Sequence, residues 1–198
     1  HEDDLAIIAM PVFAGRVPAL AVERLRRVNP HGAKCVVVAV FGNRAYDDAL
    51  LEIQDVAYEI GFRVIAAVGA VAEHSIIRLY GKGRPDSDDE QMLRQFGADI
   101  LRKAEGCDCT MPQVPGNRPY KKGGKVPHPK GRRRCNRCGV CAKQCPMDAI
   151  PLSDPKKVDA SKCISCMKCV SVCPTGSRSI GVVMNFLATQ GLKKPCAT

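Results

Sequence analysis

The run Cys135-x-x-Cys138-x-x-Cys141-x-x-x-Cys145-Pro146 recurs as Cys163-x-x-Cys166-x-x-Cys169-x-x-x-Cys173-Pro174, with every cysteine displaced by 28 residues. No other feature constrains the chain so tightly. The duplication means two copies of one small unit, and eight thiols at fixed spacing mean that both copies wrap a group that thiols bind. The spacing selects that group. A structural zinc site pairs one Cys-x-x-Cys with a second about 15–20 residues on. Here each arc holds three cysteines and a fourth four residues further, more than one tetrahedral ion uses. A 4Fe–4S cube has four irons, each needing one outside thiolate, and a short arc with a ligand at every third residue covers three corners but cannot reach the last. That corner takes a cysteine from the other run. One cluster is therefore expected on Cys135, Cys138, Cys141 and Cys173, and the other on Cys163, Cys166, Cys169 and Cys145. Pro146 and Pro174 turn the chain away just past each crossing ligand.

Twelve cysteines in 198 residues would suggest disulfides in a small secreted chain. No basic-then-apolar leader opens this one, and no apolar run approaches the roughly 20 residues that span a bilayer. The expectation is a soluble, cytoplasmic protein whose thiols hold metal. Cys35 reads as a buried strand residue and Cys196 as a tail thiol. Cys107 and Cys109 read as spare thiols, because one intervening residue cannot supply a ligand arc. The four histidines show no paired spacing, so none is expected to ligate. The formal charge of +10 counts every cysteine as neutral. Two cubes at about −2 each would lower it to roughly +6.

Residues 135–180 as a whole resemble the two-cluster bacterial-type ferredoxins, with Ile150 and Ile180 well placed to cover the cubes. The resemblance implies a small α+β domain that relays single electrons between two neighbouring clusters. About 46 residues cannot bury enough apolar surface to fold alone, so the metal is expected to supply much of the stability.

The first half has another pattern. Residues 5–10, 35–40 and 64–68 are continuous apolar runs, which suit strands of a parallel sheet covered on both faces. Between them, residues 19–28 place Ala21, Val22, Leu25 and Val28 on one helical face. Residues 46–60 do the same with Ala49, Leu50, Ile53, Val56, Ala57 and Ile60, with Asp47 and Asp48 in the first turn and Gly61 as the left-handed stop. A third helix opens at Ser87, with Glu90 completing a capping box, carries Met92, Leu93, Phe96 and Ile100, and ends at Gly106. The class is α/β. Ligands in such folds sit beyond the carboxyl ends of the strands, where Pro11-Val12-Phe13-Ala14-Gly15-Arg16 and Phe41-Gly42-Asn43-Arg44-Ala45-Tyr46 lie. These are either ordinary strand-to-helix turns or loops that hold a flat, polar-edged cofactor.

The two loops look like the flavin-flanking loops of flavodoxin-like domains. Residues 5–77, including Ala45-Tyr46-Asp47-Asp48-Ala49-Leu50 and Glu73-His74-Ser75, resemble the flavodoxin-like half of flavodoxin–ferredoxin fusion proteins of anaerobes. That resemblance implies FMN in the intact protein, with Gly15 and Arg16 on one side and Gly42, Asn43, Arg44 and Tyr46 along the other. A flavodoxin-like fold begins with a strand, a phosphate loop, a helix and a second strand, which residues 1–4 cannot hold. The expectation is an incomplete, three-stranded flavodoxin-like domain that exposes a sheet edge and an apolar face. FMN binding by residues 1–198 is expected to be weak or absent.

The chain thus divides into an incomplete flavodoxin-like domain (1–106), a Pro/Gly-rich linker (107–134), the two-cluster domain (135–182) and a tail (183–198). Residues 102–134 carry ten Lys or Arg against two acidic residues. Such a run is a solvated linker, a patch that steers an acidic redox partner, or a nucleic-acid contact. Tyr120 is its only aromatic, so nucleic acid is the least favoured. Three functions follow: an electron carrier serving redox partner proteins, acidic ones by this charge; a flavin-dependent oxidoreductase fed by the clusters; and a nucleic-acid-binding protein with structural clusters. The carrier leads, because its ligands are explicit and no pocket or base-reading element is.

Overall fold

A computed structural model describes every residue of the chain except Cys107, Lys125, Pro195, Ala197 and Thr198. The chain divides into two compact units, His1–His74 with Arg78–Gly124, and Ser75–Ile77 with Lys125–Thr198.

The first unit is built on strands β1 (Leu5–Pro11), β2 (Lys34–Phe41) and β3 (Arg63–Val71), all parallel, in the spatial order β1-β2-β3. Helix α1 (Ala19–Leu25) connects the first two strands and α2 (Ala49–Glu59) the last two. Alternation along the strands sends Ile8, Met10, Cys35, Val37 and Ala39 into one core, where Leu25 of α1 and Ala49, Leu50, Ile53, Val56 and Ala57 of α2 close over them. Cys35 is fully buried as its strand position predicts, and burial pushes its thiol up to about 12. Gly61 takes the left-handed conformation that ends α2. On the edge strand β1, Ile7 points away from this core and is 72% exposed.

Three local expectations shift. Helix α1 stops at Leu25, so Val28 is left exposed, because the Val28-Asn29-Pro30 stretch leads into a proline that disfavours helix before it. Helix α3 (Ser87–Glu105) is capped one residue earlier than the Ser87–Glu90 pattern predicts. The Asp86 carboxylate accepts from the N–H groups of Asp88 and Asp89, and the Asp89 side chain accepts from the Asp86 N–H. Arg84 also binds Asp89 and holds its carboxyl down at about 2. Met92, Leu93 and Phe96 of α3 are exposed.

Residues 110–121 lie along α2. Asp48, Glu52 and Asp55 fall at i, i+4 and i+7, on one helical face. The Asp48 carboxylate accepts from the N–H of Asn117 (2.9 Å) and of Lys121 (2.7 Å), and Asp55 accepts from Arg118 (2.8 Å) and the Tyr120 hydroxyl. Gln54 donates to the Pro112 carbonyl at 2.6 Å. The backbone at Gly116 passes so close to Leu51 that an added Cβ would come within 2.8 Å of its side chain. These bonds hold Asp48 and Asp55 below the usual carboxylate range, through the Lys121 N–H for the first and the Arg118 guanidinium for the second.

The second unit has little regular structure: an antiparallel pair of two-residue strands, β4 (Lys130–Gly131) and β5 (Arg178–Ser179), and the one-turn helices α4 (Val140–Lys143) and α5 (Lys168–Ser171). Residues 182–192, which the sequence reading divides between the cluster domain and a tail, form helix α6 (Val182–Leu192), with Val182, Val183 and Phe186 exposed. No helix among the described residues is long and apolar enough to cross a membrane.

Candidate metal centre

The 28-residue repeat is written into the backbone as well as the cysteines. Helices α4 and α5 are related by it, and both begin after a residue in the left-handed region, Gly139 in one half and Met167 in the other. Positive φ recurs at Arg137 and Ser165, and again at Asp148 and Gly176. The bond from the Lys143 N–H to the Gly139 carbonyl is matched by Ser171 to Met167, and Gln144 to Val140 by Val172 to Lys168. The fourth cysteine of each run is treated alike. The Ala149 N–H points to Cys145 Sγ at 3.4 Å, and the Ser177 N–H to Cys173 Sγ at 3.2 Å. Burial works against ionising Cys173, but the Thr175 hydroxyl and the N–H groups of Arg178, Ser177 and Thr175 outweigh it and lower its pKa.

Cys145, Cys163, Cys166 and Cys169 line one pocket. Three come from one arc and the fourth from the other run, the grouping that the spacing predicts for one of its clusters. Pro129, Ile150, Val158 and Met167 supply the apolar part of the wall. Among the described residues no three His, Cys, Asp or Glu side chains gather closely enough for a single metal ion. Four thiols spread around an apolar chamber form a donor set that fits a polynuclear iron–sulfur group. Burial raises the Cys169 thiol, and the Arg178 guanidinium beside it opposes that shift. Of the other predicted set, Cys141 is buried, Cys135 and Cys173 are half-buried, and Cys138 is exposed. Cys109 is exposed, Cys196 is buried, and Cys107 lies outside the described residues.

The residues assigned to a flavin are placed at the carboxyl ends of β1 and β2, where each contacts other residues of its own unit. An added Cβ on Gly15 would land on the Asp47 carboxylate, and Arg44 also pairs with Asp47. Arg16 donates to both oxygens of Glu52, at 2.7 and 2.6 Å, and to the Lys121 carbonyl at 2.9 Å, while its guanidinium lies 4.7 Å from the centre of the Tyr120 ring. Gly42 is packed against His74, Asn43 takes a positive φ, and Tyr46 lies edge-on to Phe41, over Gly69. As arranged, these groups contact their own chain.

The sequence reading missed two features. The acidic face of α2 that takes up residues 110–121 was visible as Asp48, Glu52 and Asp55 opposite a basic stretch. The other is Arg178. Ile150 and Ile180 were paired as covers for the cubes, yet the 28-residue shift pairs Ile150 with Arg178. Ile150 is buried in the cavity wall, Ile180 is half-buried, and the position equivalent to Ile150 holds a buried cation. Carrying the repeat five residues past the last cysteine would have found it.

Comparison with known proteins points to the same segment. The family of the 4Fe-4S dicluster domain matches residues 134–177. A curated protein from Sinorhizobium fredii described as "Ferredoxin-like protein in nif region" is 42% identical in an alignment 48 residues long that covers 21% of this chain and 75% of that protein. No solved structure matches the chain.

Proposed function

We propose that this chain, which belongs to the ferredoxin-like proteins with a 4Fe-4S dicluster domain, carries single electrons on two clusters held by its second unit. The observation that carries the reading is the gathering of Cys145 with Cys163, Cys166 and Cys169 around one cavity. By the repeat, Cys173 would complete the set of Cys135, Cys138 and Cys141. A bound 4Fe–4S cluster accepts and returns one electron at a potential set by charge, hydrogen bonds to sulfur and solvent access. The chain's own residues supply those controls. The thiolates would hold the irons, the N–H groups of Ala149 and Ser177 donate to the crossing sulfurs, and Ile150, Val158 and Met167 would set an apolar wall beside the cluster.

Anaerobically purified protein should contain about eight irons and eight acid-labile sulfides. Zinc without labile sulfide would overturn the reading. Cys145→Ser should damage the cluster wrapped by Cys163, Cys166 and Cys169, although Cys145 belongs to the other run. Loss of the Cys135–Cys141 cluster instead would mean that each run serves itself.

The partners follow from charge. Arg132, Arg133 and Arg134 are exposed just before the first arc and suit an acidic redox protein in a reducing cytoplasm. Electron transfer to that partner should slow as salt rises, and a rate indifferent to salt would remove this part. The parallel sheet and two loops of the first unit support a flavodoxin-like assignment. No phosphate loop occurs in residues 1–198, so FMN titrated into this chain should bind weakly or not at all.

A further inference from the structure

We propose that Arg178 is a single buried counter-cation shared by the two cysteine sets, and that it holds the reduction potentials of both clusters up together. The inference rests on the two-cluster reading above and adds to it the charge that the two clusters have in common.

Arg178 is 2% exposed. Its guanidinium donates to the carbonyls of Pro129 (2.7 Å), Pro155 and Lys157 (3.4 Å), and its Nε finds no acceptor among the described residues. None of these acceptors is a carboxylate. A guanidinium does not give up its proton in a protein, so it cannot escape burial by becoming neutral. An unpaired buried charge is strongly unfavourable. The groups beside Arg178 that can become anionic are cysteine sulfurs, and they come from both sets. The guanidinium donates to Cys141 Sγ at 3.6 Å. Strand β5, which carries Arg178, packs against α5, which carries Cys169, and Cys141 and Cys169 belong to one buried cluster. The guanidinium lies beside the Cys169 thiol as well, where it opposes the rise that burial imposes.

The duplication supplies one such cation and not two. The 28-residue shift puts Ile150 at the position equivalent to Arg178, in the wall of the Cys145 pocket, with neither charge nor donor. Cysteines that bind metal are thiolates, so each loaded set brings an anion to the guanidinium. Reduction adds one electron from an external one-electron donor, breaks no bond and requires no proton. A nearby cation and an N–H donated to sulfur both favour the added negative charge. Because Arg178 lies beside a ligand of each set, this effect has the same sign for both clusters. It sets their common level and leaves their order open. Arg178 is thus a tuning residue that acts through Cys141 and Cys169.

The test separates charge from shape. Full chains carrying Arg178→Lys, Arg178→Gln or Arg178→Met are followed by EPR-monitored potentiometric titration, with iron and labile sulfide measured alongside. The Gln variant keeps hydrogen-bonding groups without charge, and the Lys variant keeps charge without the planar fork. In the Gln and Met variants both one-electron steps should fall by at least about 59 mV, tenfold in equilibrium constant. In the Lys variant both should stay near the wild-type values. One step that moves while the other stays would tie Arg178 to one set and overturn the sharing. An equal fall in the Lys variant, or iron-replete variants that all titrate like the wild type, would overturn the charge role. Where a variant takes up less iron, uptake reads the same contrast. Full iron in the Lys variant with little in the other two follows charge and upholds the inference. Full iron in the Gln variant with little in the Lys variant, or little in all three, follows shape and overturns it. A wild type without labile sulfide would sink the two-cluster reading and this with it.

Discussion

The two units are held together in different ways. The first buries a continuous apolar cluster in which Cys35, Val37, Ala39, Ile53 and Ala57 are wholly removed from water, beneath a parallel sheet with long ladders. Among the described residues, the corresponding cluster of the second holds Cys141, Ala142, Ile150 and Cys169, two of them cysteines proposed to hold metal. Its strands are two residues long and its helices α4 and α5 a single turn. A chain segment with so little apolar burial is stabilised by what its thiols grip, whereas the first unit rests on side-chain packing. Burial spreads the work over many replaceable residues. Ligation concentrates it on a few that tolerate no exchange.

The largest effect should come from iron. Protein prepared without it should lose amide-exchange protection throughout residues 126–180 while the strands of the first unit keep theirs. Protection retained in the iron-free second unit would show a core that the packing does not reveal. Next in size is Ile53→Ala, which empties a fully buried site. It should cost the first unit about 2–5 kcal/mol in denaturant unfolding and leave iron content and the visible absorbance band unchanged. Parallel loss of both signals would mean that the units unfold as one. The smallest effect concerns acid. Asp48 and Asp55 have pKa values lowered by folding, so their contribution is fully present above the ordinary carboxylate value of about 4 and is lost as pH falls through the folded values. Residues 110–121 should therefore gain exchange below about pH 4 before the sheet does, and Asp55→Asn should bring that release to neutral pH for Arg118 and Tyr120. Simultaneous release of strap and sheet would show that the anchors add nothing separate.

Legibility followed the kind of force at work. The three strands could be read because fully buried parallel strands are continuous apolar runs, and the predicted spans of 5–10, 35–40 and 64–68 fall inside the observed strands. The arc length assigns Cys145 to the run of Cys163, Cys166 and Cys169, and these four line one pocket. Helix ends were off by a residue or a turn where side-chain competition decides them, as at Asp86 and Val28. The acidic face of α2 and the basic stretch are each legible, but the pairing of Arg16, Arg118 and Lys121 with Glu52, Asp55 and Asp48 is not, because a charged side chain carries no periodicity that names its mate. Helix α6 was missed because its exposed apolar residues show no one-sided pattern. Arg178 was hidden in another way. Arginine reads as a surface residue unless an anion is known to lie beneath it.

The left-handed residues of the repeat bear on how such a module can be rebuilt. Gly139 has Met167 as its counterpart, and Gly176 has Asp148, so at these two bends one half has the permissive residue while the other accepts a side chain in the same conformation. The identities at these bends differ between the halves while the backbone keeps the same sign of φ. A chimaera in which residues 135–150 are copied over 163–178 would therefore still bend in the same places and still present every cysteine. It would carry isoleucine at both ends of the duplication and arginine at neither, two halves alike in side chain as well as in backbone.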